Sequence, residues 1–248
     1  MSESYLSLNA SDRTEALETA ADKSGRPAHL LEKDVWVVWT LSVLYDSPHH
    51  EHLTFKGGTS LSKAYHAIDR FSEDVDLTYD IRLLLSDLQI PKNGLPASRS
   101  QADKWTDAVR ARLPGWINDN VRPLLQDALR RDHLDAEITM DGGNLLINYD
   151  PLKHGTEYVS SSVRLEFGAR STGEPHQNMP ITCDMAPHLP TLSFPQAQPL
   201  VMAIGRTFGK RLQRHMPIVN KADCVRIVSL VTGMTSRQSR DPHILPIS

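Results

Sequence analysis

Phe55-Lys56-Gly57-Gly58-Thr59-Ser60-Leu61-Ser62-Lys63, and after it Phe71-Ser72-Glu73-Asp74-Val75-Asp76-Leu77, decide how the chain is read. Adjacent glycines leave no Cβ in the way of a backbone that must approach a ligand closely, and N–H groups at a helix start form a ready anion site. Gly57, Gly58 and Thr59 fit that need. Residues two apart on a strand point to the same face, so Asp74 and Asp76 are expected to present both carboxylates on one side while Val75 and Leu77 enter the core.

A phosphate-approaching turn, a short helix over Leu61–Ile68 and a strand carrying paired acids suit the transfer of a nucleotide from a nucleoside triphosphate. That reaction needs the triphosphate charge neutralised and the nucleophile and leaving group held in line, a task suited to divalent ions. Mg²⁺ prefers hard oxygen ligands and keeps waters, so aspartates plus substrate phosphates make a natural cage. The candidate third carboxylate is Glu166 in Val163-Arg164-Leu165-Glu166-Phe167-Gly168-Ala169-Arg170, whose alternation puts Arg164, Glu166 and Gly168 on one face. Taken singly, Gly-Gly-Thr-Ser reads as a turn and Asp-x-Asp as a solvated face; the functional reading rests on their combination.

These stretches resemble the AbiEii/AbiGii-type nucleotidyltransferase toxins. Leu31-Glu32-Lys33-Asp34-Val35-Trp36-Val37 upstream and Leu165-Glu166-Phe167-Gly168-Ala169-Arg170 downstream agree with that family, and the resemblance covers residues 25–208. It implies an α+β fold of the DNA polymerase β type, a small mixed sheet flanked by helices with helical additions. It further implies a toxin of a type IV toxin–antitoxin or abortive-infection system that uses NTP with Mg²⁺ or Mn²⁺. The implied acceptor is RNA, with tRNA among the candidates, and the implied protein partner is a cognate antitoxin. By the same resemblance Asp74 and Asp76 hold metal, Asp74, Asp76 and Glu166 are catalytic, and Lys56, Gly57, Gly58, Thr59, Ser60 and Ser72 bind nucleotide.

With 248 residues and 40% hydrophobic content, the chain can bury a sizeable core. The net charge of -3 gives no globally basic surface, so an RNA substrate needs a local patch. Arg110, Arg112, Arg122, Arg130 and Arg131 are candidates, against the plainer reading of a charged helix face. Cys183 and Cys224 suggest neither a disulfide framework nor a zinc site. Without a long apolar run or a secretory h-region, no membrane partner and a cytoplasmic location are expected.

Along the chain, Ser11–Lys23 reads as a polar helix ending near Gly25, and Pro27 opens an apolar helix carrying Leu31, Val35, Val38, Leu41 and Tyr45. Lys33 and Asp34 on that helix are read either as a surface ion pair or as support for the site. His49, His50 and His52 suit a solvated loop better than a metal site. Residues 91–100 read as a loop, 101–131 as a helical region kinked near Pro114-Gly115 and Pro123, and Asp141-Gly142-Gly143 as the turn of a hairpin.

The tail departs from the family. Where Arg206-Thr207-Phe208 should continue as T-F-W-E-K and reach a later R-H-W/Y-x-D element, both helical, the chain has Gly209 and weak periodicity. Loss of one base from the tryptophan codon turns it into a glycine codon. In the shifted frame, codon degeneracy permits E-K after that point and R-H-W-H-D across Leu230 to Thr235, with the final Asp forced by the single Met234 codon. The expected division is therefore a nucleotidyltransferase domain over 1–208 and an aberrant, frameshifted tail over 209–248. A lysine expected in the missing segment would be lost, with Lys210 only a positional substitute. The alternative to an enzyme is then a non-catalytic remnant that binds nucleotide or antitoxin without turnover.

Overall fold

The computed structural model describes residues 2–68, 74–153 and 160–207. It divides into two compact units, 1–202 and 203–248. The first is an α+β unit built on a mixed sheet flanked by helices. In the second only Ala203–Thr207 are described, so the expected frameshifted tail lies outside the described residues, as does Cys224.

Helix α1, Ala10–Ser24, starts where the Asn9 side chain accepts the Asp12 N–H and stops at Gly25 in the left-handed region, φ +70°. Helix α2, Ala28–Tyr45, is buried nearly all round, so it is the central helix. Strand β2, Leu53–Lys56, runs straight into α3, Gly57–Lys63, and β3 is Asp74–Tyr79. The short helix thus begins at the glycines themselves rather than at Leu61, and the Gly-Gly-Thr-Ser segment forms its first turn.

A one-turn helix α4, Ile81–Leu84, leads to α5, Arg99–Trp116, capped by Ser98; a π-turn over Ile117–Val121 then joins α6, Arg122–Arg131. Trp105, Val109, Leu113, Ile117, Val121, Leu125 and Leu129 are all buried. A four-residue repeat drifts around an α-helix by about 40° per step, and the wider π-turn brings the stripe back to one side. The expected break at the prolines is therefore an adjustment: Pro114 sits inside α5, and Pro123 occupies the first turn of α6, where no N–H is missed.

Strands β4 (Ala136–Asp141) and β5 (Asn144–Tyr149) form the expected hairpin, with Gly142 at φ +65° in the turn. Strand β6, Ser162–Gly168, follows. With β7 (His176–Asn178) and β11 (Leu200–Met202) these make a seven-stranded sheet in the order β4-β5-β6-β3-β2-β11-β7. The short strands β1 (Glu3–Ser4) with β9 (Leu192–Ser193), and β8 (Ile181–Thr182) with β10 (Gln196–Ala197), pair separately.

One face of the sheet is the core. Phe55, Val75, Leu77, Leu145, Ile147, Val163 and Leu165 are fully buried there. Trp36 of α2 stacks on Tyr149 at 4.9 Å, and Trp116 of α5 stacks on Tyr79 at 3.9 Å and meets Phe167 edge-on. By strand alternation the opposite face carries Lys56, Asp74, Asp76, Arg164 and Glu166. Trp116 therefore braces, from behind, the two strands that carry the acids.

Candidate active site

Antiparallel pairing of β2 with β3 sets Lys56 opposite Asp76, and parallel pairing of β3 with β6 sets Glu166 beside Asp76 and Arg164 beside Asp74. The three carboxylates thus share one side of two adjacent strands. Partial burial pushes the Glu166 carboxyl above its usual range, and the charges of Asp76 and then Asp74 add to the shift, while Lys56 and Arg164 oppose it. Like charges gathered in this way favour a cation between them. Lys56 Nζ supplies one, 3.1 Å from Asp76 Oδ1.

The chemistry of the donors fits a hard divalent ion, all of them being carboxylate oxygens. Among the described residues, however, no three His, Cys, Asp or Glu side chains converge closely enough to hold a metal by themselves. Mg²⁺ is commonly held by one or two carboxylates together with substrate phosphates rather than by an all-protein cage.

Helix α3 is fitted to the acids residue by residue. Gly57 adopts φ +79°, and a Cβ there would fall 1.9 Å from Asp76 Oδ2. Only glycine lets the chain turn from β2 into α3 this close to the carboxylate. The Thr59 hydroxyl donates to the Asp74 carbonyl, and Ser60 Oγ donates to the Gly57 carbonyl at 2.9 Å. Both side chains are buried, so their hydroxyl protons hold the turn in place. Gly58 is buried as well. Any anion contact from this turn falls to its backbone N–H groups, the first of which have no partner within a helix. Ser72 lies outside the described residues.

At the other end of α3, Lys63 Nζ reaches Asp34 Oδ1 at 2.6 Å and Asp184 Oδ1 at 2.7 Å. Asp34 Oδ2 accepts the Asp184 N–H at 2.6 Å, and Arg26 holds the second Asp184 oxygen at 2.6 Å. Burial pulls the Lys63 ammonium down, but Asp34 and Asp184 outweigh it and hold the lysine charged beyond its usual range. Burial pushes Asp34 up, against the pull of Lys63.

The surface-pair reading of Lys33 and Asp34 is therefore corrected, since both are buried and they serve different partners. Lys33 Nζ donates to the Ser160 carbonyl at 3.0 Å, while neighbouring Glu32 accepts the N–H groups of Leu152 and Lys153. Glu32 and Lys33 so anchor the chain before and after residues 154–159. Lys63 and Asp34 stood in the quoted motifs, but nothing in the sequence singled out Asp184 as their partner.

The arginine candidates do not make a patch for this site. Arg110 pairs with Asp107, Arg112 with Asp87, Arg130 with Asp127 and Arg131 with Asp132, and Arg122 bonds Asn118. All five lie on the helical layer, whose buried stripe faces the core side of the sheet, and the acids are on the other side. His50 and His52 lie in a 3₁₀ turn, and His49 packs edge-on against Trp116.

Comparison with known proteins now places the chain in a class, the nucleotidyltransferases. It belongs to the family described as the nucleotidyl transferase AbiEii toxin of type IV toxin–antitoxin systems, matched over residues 39–217. The match runs past Gly209, where the sequence reading expects the family pattern to stop. No curated protein matches the sequence. Among solved structures, the nucleotidyltransferase toxin MenT4 from Mycobacterium tuberculosis H37Rv superposes with a TM-score of 0.45 at 18% identity. The alignment covers 84% of this chain and 59% of MenT4, so the chain spans less than two thirds of that protein's length. No helix among the described residues is long and apolar enough to cross a membrane.

Proposed function

We propose that the chain is a divalent-metal-dependent toxin that transfers a nucleotide from NTP to a hydroxyl of RNA, tRNA being one candidate acceptor, in the cytoplasm and under the control of an antitoxin. The observation that carries this reading is Asp76 lying against Gly57, with Lys56 on one side of it and Glu166 on the other. Asp74 and Asp76 would hold Mg²⁺ or Mn²⁺. When bound, the ion supplies charge neutralisation on the phosphate oxygens.

The residues divide the remaining work. The backbone of Gly57, Gly58, Thr59 and Ser60, with Ser72 as a further contact, receives the triphosphate. Lys56 leaves Asp76 for the phosphate oxygens once that carboxylate is otherwise neutralised. The acceptor oxygen forms its bond to the α-phosphorus, the bond from that phosphorus to the oxygen bridging to the β-phosphate breaks, and pyrophosphate departs with the electron pair. Glu166, whose proton affinity is already raised, takes the hydroxyl proton.

Transfer of radiolabel from NTP to total cellular RNA, compared with Asp76→Ala, tests the reading. Label in RNA that requires metal and Asp76 supports it, and equal labelling by the variant removes the assigned site. The absence of the family's W-E-K after Phe208 favours one alternative, a frameshifted remnant that binds nucleotide or antitoxin without turnover. Restoring one base at the Phe208–Gly209 junction is expected to raise both transfer and growth inhibition in a host lacking antitoxin. Full activity of the unrepaired chain eliminates that alternative.

A further inference from the structure

Arg164 is the cation that the arginine-rich helices do not supply. It lies on β6, in register with Asp74 and two residues before Glu166, so it shares the acid-bearing face of the sheet. Its position within the site is fixed from the far side. Nη1 donates to Asp141 Oδ2 at 3.0 Å, and Asp141 ends β4 at the tip of the β4–β5 hairpin. The guanidinium is only partly buried, with 35% of the side chain exposed. A guanidinium has five N–H donors in a fork that matches phosphate, so a single contact to Asp141 leaves capacity for a second ligand.

Among the described residues, the two cations of this face lie on opposite sides of β3, the strand that carries Asp74 and Asp76. Lys56 is on β2, next to the glycine turn, and Arg164 is on β6, toward the hairpin. In-line displacement needs the attacking oxygen and the departing pyrophosphate on opposite sides of the α-phosphorus. If the triphosphate enters over Gly57 and Gly58, the acceptor must come over β5 and β6. At the hairpin tip there is room: among the described residues, a Cβ built on Gly142 or Gly143 meets no atom within 4 Å.

We propose that Arg164 binds a backbone phosphate of the acceptor's 3′ end, with Asp141 as the positioning residue that aims it. This rests on the transferase reading above and deepens it, because a cation on the acceptor flank selects a polynucleotide over a protein hydroxyl. A protein acceptor offers no phosphodiester for the guanidinium fork to grip. The hairpin turn is then a support for the site rather than a mere connection.

The test uses the full chain, a 5′-labelled single-stranded RNA oligonucleotide read by fluorescence anisotropy at several salt concentrations, and a fluorescent NTP titrated separately with Mg²⁺. Arg164→Gln is expected to weaken RNA binding on the order of tenfold and to lower the salt-dependence slope by about 0.7, the value for one phosphate contact on a single strand. NTP binding should stay within twofold, about the scatter of such contacts. Arg164→Lys, which keeps the charge and loses the fork, should restore the slope and only part of the affinity. Asp141→Asn should weaken RNA binding less, with the slope unchanged.

RNA binding that Arg164→Gln leaves intact, or weakens no more than NTP binding, overturns the assignment. Because NTP binding is measured on its own, failure of the transferase reading shows separately, as a wild-type protein that binds no NTP whatever Arg164 does to RNA.

Discussion

Gly57 lies directly against the carboxylate of Asp76, so close that a β-carbon on the glycine would fall 1.9 Å from Oδ2. Gly57→Ala meets both this overlap and the cost of a left-handed backbone, and either displaces Asp76 or unwinds the first turn of α3. A displacement on the order of 1 Å at a reacting centre can cost roughly a hundredfold in rate, and a loss of that size is expected in an NTP transfer assay. Gly115→Ala is the control. It sits within α5 with nothing near its missing Cβ, and should stabilise the protein by about 0.5–1 kcal/mol.

The Lys63 ammonium holds two aspartates, one of them fully buried. Lys63→Met leaves Asp34 without its counter-charge, and breaking a buried pair from one side costs about 3–5 kcal/mol. Urea unfolding should show this loss. The double variant Lys63→Met/Asp34→Leu should recover much of it, since no unpaired charge remains; equal instability of single and double variants would mean that packing, not charge, sets the cost.

The acids of β3 could be read from sequence because strand alternation is local. Val75 and Leu77 are buried as that alternation requires, and Asp74 and Asp76 share the other face. The hairpin was legible for the same reason, its turn glycines standing between two apolar runs. Strands β7 to β11 were not, since two or three residues among prolines are too few to show a period. The Glu32-Lys33-Asp34 run on α2 is buried, which removes the surface ion pair that the sequence left open for Lys33 and Asp34 beside a role supporting the site. Its charges are satisfied by Leu152, Ser160, Lys63 and Asp184, partners brought by folding from far along the chain.

Divalent metal should stabilise the fold through Asp74 and Asp76. A ligand at a hundredfold excess over its dissociation constant adds about 2.7 kcal/mol to the native state. Thermal melts with Mg²⁺ or Mn²⁺ should therefore rise for the wild type and stay flat for Asp74→Asn/Asp76→Asn. An equal rise in both would place the ions elsewhere.

Alkaline pH should expose the burial of Cys183, which stands next to Asp184 in the chain. Burial is the main cause that holds its thiol well above the usual range, with Asp34 adding to the shift. The sign follows from which state releases the proton. In the unfolded chain the thiol ionises above roughly pH 8.5, while in the folded protein it stays protonated, so the native state binds more protons and stability falls as pH rises. The contribution is intact below the unfolded pKa and is lost at up to about 1.4 kcal/mol per pH unit above it. Denaturant unfolding of the wild type and Cys183→Ala from neutral pH to about pH 10, where tyrosines begin to ionise, checks this. The variant starts lower, because it loses the buried sulfur, but its stability should fall less steeply across that window. Parallel curves would show that the folded protein lets the Cys183 thiolate form, in conflict with its burial beside Asp34.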